Sequence, residues 1–81
     1  MSIPVSAIVL TKNEEKNLPG CLANLTWADE IVVVDSLSTD GTISIARCAG
    51  ARVVEHPFVN FAAQHNFAQN QAQHDWVLFV D

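Results

Sequence analysis

The chain has 81 residues, of which 49% are hydrophobic and 16% charged, and its net charge is −5 at pH 7. This composition indicates one folded unit rather than a disordered segment, because it supplies enough apolar surface for a single small core. Only four residues are Lys or Arg, so a nucleic-acid partner is not expected, since binding a phosphate backbone requires clustered positive charge.

The first predicted element is a strand from Val5 to Leu10 that ends at Thr11. Its sequence, VSAIVL, is typical of a parallel strand that is buried on both faces. A helix is expected next, because Asn13 can cap it and Glu14 and Glu15 would lie in its first turn, where the helix dipole favours acids. The apolar face of this helix would be formed by Leu18, Cys21, Leu22 and Leu25.

The second predicted strand, Glu30 to Val34, places Asp35 at its end and leads into the polar turn SLSTDGT. Asp35 can accept hydrogen bonds from the base or ribose of a ligand, or it can simply cap the turn by accepting one from the backbone of Ser38. A second helix is predicted from about Thr42 to Ala49, and Gly50 ends it.

The remaining sequence predicts a strand, a helix and a final strand. ARVVEH supplies the third strand, which Pro57 ends, and WVLFVD supplies the fourth. Between them Asn60 can cap a helix through FAAQHNFAQNQAQ. The buried stripe of that helix is expected to contain Ala63, Phe67 and Asn70.

The order βαβαβαβ predicts an α/β fold, in which a mostly parallel four-stranded sheet carries helices on its faces. Parallel strands end at the same edge of a sheet, and ligands of open α/β sheets bind outside that edge. The polar residues expected there are Thr11 to Glu14, Asp35 to Thr42, His56 and Asp81.

Several of these residues have a purely structural alternative. Asp40 can act only as a helix cap, and an isolated helical histidine such as His65 usually has no functional role. Asp81 ends an apolar strand as Asp35 does, and carboxylates are ligands that Mg²⁺ prefers, but one aspartate alone does not make a metal site.

The two cysteines show no metal-ligand spacing. We therefore expect Cys21 and Cys48 to be small buried side chains in a reduced, cytoplasmic protein. Neither a signal peptide nor a membrane span is predicted, because the longest apolar runs have only the length of a strand.

Four segments together resemble the family 2 glycosyltransferases of the GT-A fold: IVLTKNEEKNLPGCL, ADEIVVVDSLSTDGT, ARVVEHPFVNFAAQHNFA and WVLFVD. The likeness spans nearly the whole chain, and it is greatest to bacterial enzymes that add glucose or a related sugar to the lipopolysaccharide core. In that family the corresponding loops hold a nucleotide sugar, usually a UDP-sugar. The resemblance implies a nucleotide-binding role for Thr11, Asn13, Glu14, Asp35, Ser36, Asp40 and His65.

The chain departs from the family pattern at two positions. Leu37 stands where the family's DSGSTDGT pattern commonly has glycine, which affects the backbone of that loop. His65 stands where a basic residue often precedes the asparagine that is Asn66 here, so a diphosphate contact would be weaker and pH-dependent.

In the family the fourth strand leads to a D-x-D motif whose acids bind Mg²⁺ or Mn²⁺, and Asp81 matches the first acid. The resemblance implies that residues 1–81 are the N-terminal nucleotide-sugar-binding half of a GT-A domain, truncated at the start of that motif. The parent enzyme would transfer the sugar with inversion. We expect residues 1–81 alone to hold no metal and to have no transferase activity.

The GT-A layout also predicts a bare outer edge on the fourth strand. An unpaired apolar strand such as WVLFV is a template for another chain, so we expect a homo-oligomer that forms through this sheet edge.

Three alternatives to the glycosyltransferase interpretation remain. A sugar-phosphate nucleotidyltransferase would need a glycine-rich phosphate loop, and TKNEEKN contains no glycine. A receiver domain would need an acidic pair after its first strand, where this chain has Thr11 and Lys12. A non-catalytic interaction or oligomerisation module of α/β fold would use the polar edge of the sheet only as surface.

Overall fold

A computed structural model of the chain describes residues 3–80. Within that range the chain forms four strands and three helices in the predicted order. The elements are β1 (Val5–Thr11), α1 (Leu18–Ala23), β2 (Glu30–Asp35), α2 (Thr42–Cys48), β3 (Arg52–Glu55), α3 (Phe61–Gln71) and β4 (Trp76–Val80).

The strands form one parallel sheet in the order β3-β2-β1-β4, which confirms the predicted α/β fold. Thr11 at the end of β1 is in register with Asp35 at the end of β2, and Asp35 is in register with Glu55 of β3. The loops that leave these strands therefore begin side by side at the C-terminal edge of the sheet.

The core lies on both faces of the central strands, β1 and β2. Side chains alternate between the two faces along a strand, so an apolar run is buried completely only when helices cover both faces. The face toward α1 and α2 contains Ala7, Val9, Leu18, Leu22, Leu25, Val33, Ala46 and Ala51. The face toward α3 contains Ile8, Val32, Val34 and Ala68.

Helix α1 begins at Leu18, later than predicted. Asn13 has a left-handed backbone, with φ of 53°, and its Oδ1 accepts a hydrogen bond from the Thr39 backbone N–H at 2.9 Å. Glu14 and Glu15 therefore precede the helix, in a turn where the Leu18 N–H donates to the Glu14 carbonyl at 2.8 Å. The prediction that Asn13 caps a helix is wrong, because its amide binds the neighbouring loop instead.

The predicted stripe of α3 is confirmed only in part, because Phe67 packs against the core but is not the most buried residue of the helix. The buried residues of this helix are Gln64 and Ala68, whereas Ala63 and Phe67 are half-buried and Asn70 is exposed. A polar residue lies inward because both ends of the Gln64 amide find hydrogen-bond partners below the helix.

The predicted ends of two helices are confirmed, but one cysteine is misplaced. Asn60 caps α3 by accepting a hydrogen bond from the Ala63 N–H at 2.8 Å, and Gly50 follows α2 with φ of 86°. Cys21 is half-buried, whereas Cys48, the last residue of α2, is exposed at the cavity between α1 and α2. The expectation of two buried cysteines is therefore wrong.

Leu37 provides a test of strain in the loop after β2. Its backbone is left-handed, with φ of 59°, and its side chain is 47% exposed. This conformation costs a leucine about 1–2 kcal/mol and costs glycine almost nothing. We expect Leu37→Gly to maintain or raise the free energy of unfolding, and Leu37→Val to lower it by about 1 kcal/mol, because branched side chains fit the left-handed region worst. Chemical denaturation at pH 7 measures both changes.

Leu78→Gly is the matched control for that experiment. Leu78 has a similar exposure, 40%, but it lies in the extended backbone of β4. Glycine at position 78 should lower the free energy of unfolding by roughly 1 kcal/mol, because an extended strand does not need the backbone freedom of glycine, and glycine has no side chain to pack. Equal losses in the two glycine variants would show that Leu37 is not strained.

Candidate functional site

Two loops at the C-terminal edge of the sheet are joined by hydrogen bonds. We call residues 12–17 the β1 loop and residues 36–41 the β2 loop. The Asn13 N–H donates to Ser38 Oγ at 2.8 Å, and Lys12 Nζ donates to the Leu37 carbonyl at 2.9 Å. The Glu14 N–H donates to Thr42 Oγ1 at 2.9 Å, at the start of α2. These bonds make the two loops one continuous surface.

Asp35 lies beneath this surface and is completely buried, with 0% exposure. Its carboxylate accepts three hydrogen bonds: from Thr11 Oγ1 at 2.7 Å, from the Ser38 N–H at 2.7 Å and from Ser38 Oγ at 2.6 Å. A carboxylate has about four acceptor positions, so one is left. These contacts match the turn-capping alternative, and they also place Asp35 directly under the side chains that meet at the edge.

Asp40 joins the β1 loop to the first residue of α2. Its carboxylate accepts hydrogen bonds from the Thr42 N–H at 2.9 Å, from the Glu15 N–H at 3.3 Å and from the Thr42 hydroxyl. The Thr42 hydroxyl lowers the pKa of the Asp40 carboxyl, and the two backbone N–H groups lower it further. The negative charge of Asp40 is therefore used to hold the loops together.

A cleft of about 500 Å³ opens between this edge and the start of α3. Its polar groups include one lysine, one histidine, one glutamate and two hydroxyl side chains, and two phenylalanines line the α3 side. Such a mixture suits a ligand that has a ring and several oxygen atoms. The cleft is lined by Leu10, Thr11, Lys12, Glu14, Ser36, Phe58, Phe61, Gln64 and His65.

The predicted site residues fall into two groups. Thr11, Glu14, Ser36 and His65 line the cleft, although Thr11 is itself buried. Asn13, Asp35 and Asp40 do not line it, and instead form the hydrogen-bonded support behind it.

The imidazole of His65 is held by a neighbouring ring. It stacks on Phe79 of β4 with ring centroids 4.6 Å apart and planes 21° from parallel. This contact directs the ring along one wall of the cleft and leaves the histidine half-buried.

Five residues that line the cleft were not among the predicted site residues: Leu10, Lys12, Phe58, Phe61 and Gln64. Lys12 lies within the range Thr11 to Glu14 that was expected at this edge, but it was given no binding role. The two phenylalanines lie two residues before and one residue after Asn60. Their closeness in sequence to the Asn60 cap is a signal that could have indicated an aromatic wall beside the helix start. Nothing in the helical pattern identifies Gln64.

A second cavity of similar volume, about 520 Å³, lies between α1 and α2. Its lining is mostly apolar and includes Leu22, Ile31 and Ile45. It contains none of the predicted site residues that the structure describes, so we do not treat it as the site.

No metal centre is formed by residues 3–80 alone, because no three His, Cys, Asp or Glu side chains in that range come together in a way that could hold an ion. Asp81, the predicted metal ligand, lies outside the described residues. In the described part of the chain, every helix is too short or too polar to span a membrane.

The sequence profile described as "Glycosyl transferase family 2" matches residues 6–81. The chain belongs to glycosyltransferase family 2. An uncharacterised glycosyltransferase of Rickettsia typhi is 39% identical over 78 residues, which cover 95% of this chain and 27% of the relative. The lipopolysaccharide core biosynthesis glycosyltransferase LpsC of Rhizobium meliloti is 37% identical over 84 residues, which cover 98% of this chain and 31% of LpsC. The family resemblance found in the sequence is confirmed, and the chain spans about three tenths of these relatives or less.

Solved structures of glycosyltransferases have the same fold. Glucosyl-3-phosphoglycerate synthase of Mycobacterium tuberculosis, in complex with Mn²⁺, UDP and glucosyl-3-phosphoglycerate, superposes with a TM-score of 0.78 at 27% identity. The match covers 99% of this family 2 chain and 33% of the synthase. Mannosyl-3-phosphoglycerate synthase of Rubrobacter xylanophilus superposes with a TM-score of 0.87 at 24% identity over 98% of this chain and 30% of that protein, which supports the fold alone.

Replacing Asp35 by asparagine tests its structural role. An amide cannot accept all three hydrogen bonds that the carboxylate accepts, so at least one buried donor loses its partner. We expect Asp35→Asn to lower the free energy of unfolding by about 2–3 kcal/mol, because hydrogen bonds to a charged group are the stronger ones. Asp75→Asn is the matched control: it makes the same charge change at an exposed residue and should change stability by less than about 0.5 kcal/mol. Similar denaturation curves for the two variants would contradict the structural role of Asp35.

Proposed function

We propose that this chain binds the nucleoside diphosphate part of a nucleotide sugar, most favourably a UDP-sugar, in the cleft at the C-terminal edge of the sheet. The observation that carries this proposal is that side-chain hydrogen bonds join the β1 and β2 loops beside the cleft. Ligands of open parallel sheets bind at this position. The glucosyl-3-phosphoglycerate synthase of M. tuberculosis, which has the same fold, is described in complex with UDP and Mn²⁺.

Under this proposal the predicted site residues act in two ways. Thr11, Glu14, Ser36 and His65 would face the nucleotide, with Glu14 available to accept hydrogen bonds from ribose hydroxyls. Lys12 would supply a positive charge for the diphosphate, next to the weaker contribution of His65. Behind them, the nucleotide pocket would be shaped by Asn13, Asp35 and Asp40.

The reaction of the whole protein belongs to the same proposal. We infer that residues 1–81 are the N-terminal nucleotide-sugar-binding half of the GT-A domain of an inverting, cytoplasmic glycosyltransferase whose acceptor is a glycan or lipopolysaccharide. The LpsC relative supports a lipopolysaccharide acceptor. Mg²⁺ or Mn²⁺ would neutralise the departing diphosphate when bound, with Asp81 as one ligand. The expectation that residues 1–81 by themselves transfer no sugar stays part of this proposal.

Nucleotide titration followed by amide NMR tests the proposal. UDP should shift the backbone amide signals of residues 11–14, 36–39 and 58–65, whereas the amides around the cavity between α1 and α2 should stay in place. Lys12→Ala should weaken UDP binding about three- to tenfold, because it removes a charged partner of the diphosphate. Lys16→Ala is the matched control, since Lys16 is an exposed lysine of the same loop that does not line the cleft.

Two results would count against nucleotide binding. Uniform shifts across the sheet, or equal effects of the two lysine variants, would mean that UDP binds through general charge alone. The same titration with uridine, ADP and UDP-glucose, each with and without Mn²⁺, separates recognition of the base from recognition of the diphosphate.

A specific observation also favours the alternative function as an oligomerisation module. Strand β4 lies at the end of the sheet and pairs only with β1 among the described strands. Trp76 is 62% exposed and Leu78 40% exposed, while Val77 and Phe79 on the other face of β4 pack toward α3. One face and one edge of β4 therefore expose apolar side chains and free backbone groups.

Sedimentation velocity over a range of concentrations tests self-association through β4. The wild-type chain should form dimers or larger species as its concentration rises, and Leu78→Lys should shift it toward monomer, because a charged side chain disfavours edge pairing. Val59→Lys is the matched control: it adds the same charge at an exposed apolar residue outside β4. A wild-type chain that stays monomeric at high concentration would rule out this interface.

A further inference from the structure

A chain of three polar side chains runs from the end of β3 to the cleft. His56 Nδ1 lies 2.9 Å from Gln64 Oε1, and Gln64 Nε2 donates to Ser36 Oγ at 3.0 Å. Gln64 is 2% exposed, and the ring of His56 is stacked on Phe67 with centroids 3.8 Å apart. Burial therefore restrains Gln64, stacking restrains His56, and the hydrogen bonds end at a Ser36 hydroxyl that lines the cleft.

The chemistry of the amide sets the direction of these hydrogen bonds. The nitrogen of a glutamine side chain can only donate, and its oxygen can only accept. Because Gln64 Nε2 donates to Ser36, its Oε1 must accept, and His56 must carry a proton on Nδ1. Ser36 Oγ is then the acceptor of the bond from Gln64, and the hydroxyl proton of Ser36 stays available.

The backbone around Ser36 is fixed as well. The Ser36 N–H donates to the Thr11 carbonyl at 2.9 Å, and the His56 N–H donates to the Asp35 carbonyl at 2.8 Å. Rotation of the hydroxyl is thus the main freedom that Ser36 retains, and the bond from Gln64 restricts it. Among residues 3–80 the structure gives this hydroxyl no protein acceptor for its proton.

We propose that His56 and Gln64 are positioning residues that hold the Ser36 hydroxyl as a hydrogen-bond donor toward an oxygen atom of the bound nucleotide. This inference rests on the proposed nucleotide-binding function, and it adds a residue, His56, that does not line the cleft. The opposite arrangement has a rotated Gln64 amide, a proton on His56 Nε2 and the Ser36 proton directed to Gln64. In that arrangement Ser36 offers the ligand only an acceptor, which an anionic diphosphate cannot use.

The tautomer of His56 distinguishes the two arrangements without any ligand. Long-range proton–nitrogen NMR of the ¹⁵N-labelled chain, recorded on the neutral ring, shows which ring nitrogen carries the proton. We expect the Nδ1–H form. The Nε2–H form would overturn the inference, whether or not the chain binds UDP.

Variants of His56 test the consequence for binding. His56→Phe maintains a ring that can stack on Phe67 but removes the donor to Gln64, so the amide is free to rotate and accept the Ser36 proton. We expect UDP binding to weaken about three- to tenfold, the range of a lost neutral hydrogen bond. His56→Asn, whose side-chain nitrogen can take the place of Nδ1, should restore binding to near the wild-type value.

His74→Phe is the control, because it makes the same change at a histidine beside the opposite edge of the sheet. Thermal unfolding of each variant shows whether the fold is kept. Equal UDP affinity of His56→Phe and the wild type would overturn the inference. A wild-type chain that binds no UDP would reject the proposed function instead, and the tautomer measurement would still decide the hydrogen-bond direction.

Discussion

The buried carboxylate of Asp35 is the interaction on which the C-terminal edge of the sheet depends. It comes from the central strand β2, whose residues Val32 to Val34 are completely buried, so its position is determined by the core. From there it accepts hydrogen bonds from Thr11 of β1 and from Ser38 of the β2 loop. One side chain thus links the rigid sheet to the loop that shapes the cleft.

The same interaction explains how the chain tolerates two unfavourable backbone conformations. Asn13 and Leu37 are both left-handed, and an unsupported loop would avoid this conformation at a leucine. Ser38, which follows Leu37, is held by Asp35 through its N–H and its hydroxyl, and it accepts the N–H of Asn13 in turn. The strain at Leu37 is offset by bonds on its neighbour, so the loop keeps its shape without the glycine that is common in the family.

The charged side chains at the C-terminal edge of the sheet have two different roles: some hold the loops together, and others line the cleft. The chain carries a net charge of −5, which disfavours an anionic ligand at long range. The charge of Asp35 is buried under donors, and that of Asp40 is bound by the Thr42 hydroxyl and backbone N–H groups. Lys12 and His65 remain as the basic side chains that line the cleft. Asp35 and Asp40 therefore act mainly as structural acceptors, which reduces their repulsion of a diphosphate, whereas Glu14 lines the cleft itself.

The strands, their order along the chain and the edge where polar residues gather could be predicted from sequence. The central strands β1 and β2 are mostly apolar because they are buried on both faces, and each ends at a polar residue, Thr11 or Asp35. The start of α1 could not be predicted, since it depends on a bond between Asn13 and Thr39, which are 26 residues apart in sequence.

The inward position of Gln64 depends in the same way on Ser36, 28 residues away. Helical periodicity describes only the apolar side of a helix, so it selected Phe67 and missed the glutamine one turn before Ala68. Residues that organise a site by pairing across loops leave no local pattern. For this reason the cleft residues that lie at strand ends could be predicted from sequence. The polar side chains that orient them, such as Gln64, could be identified only from the structure, which shows them next to their hydrogen-bond partners.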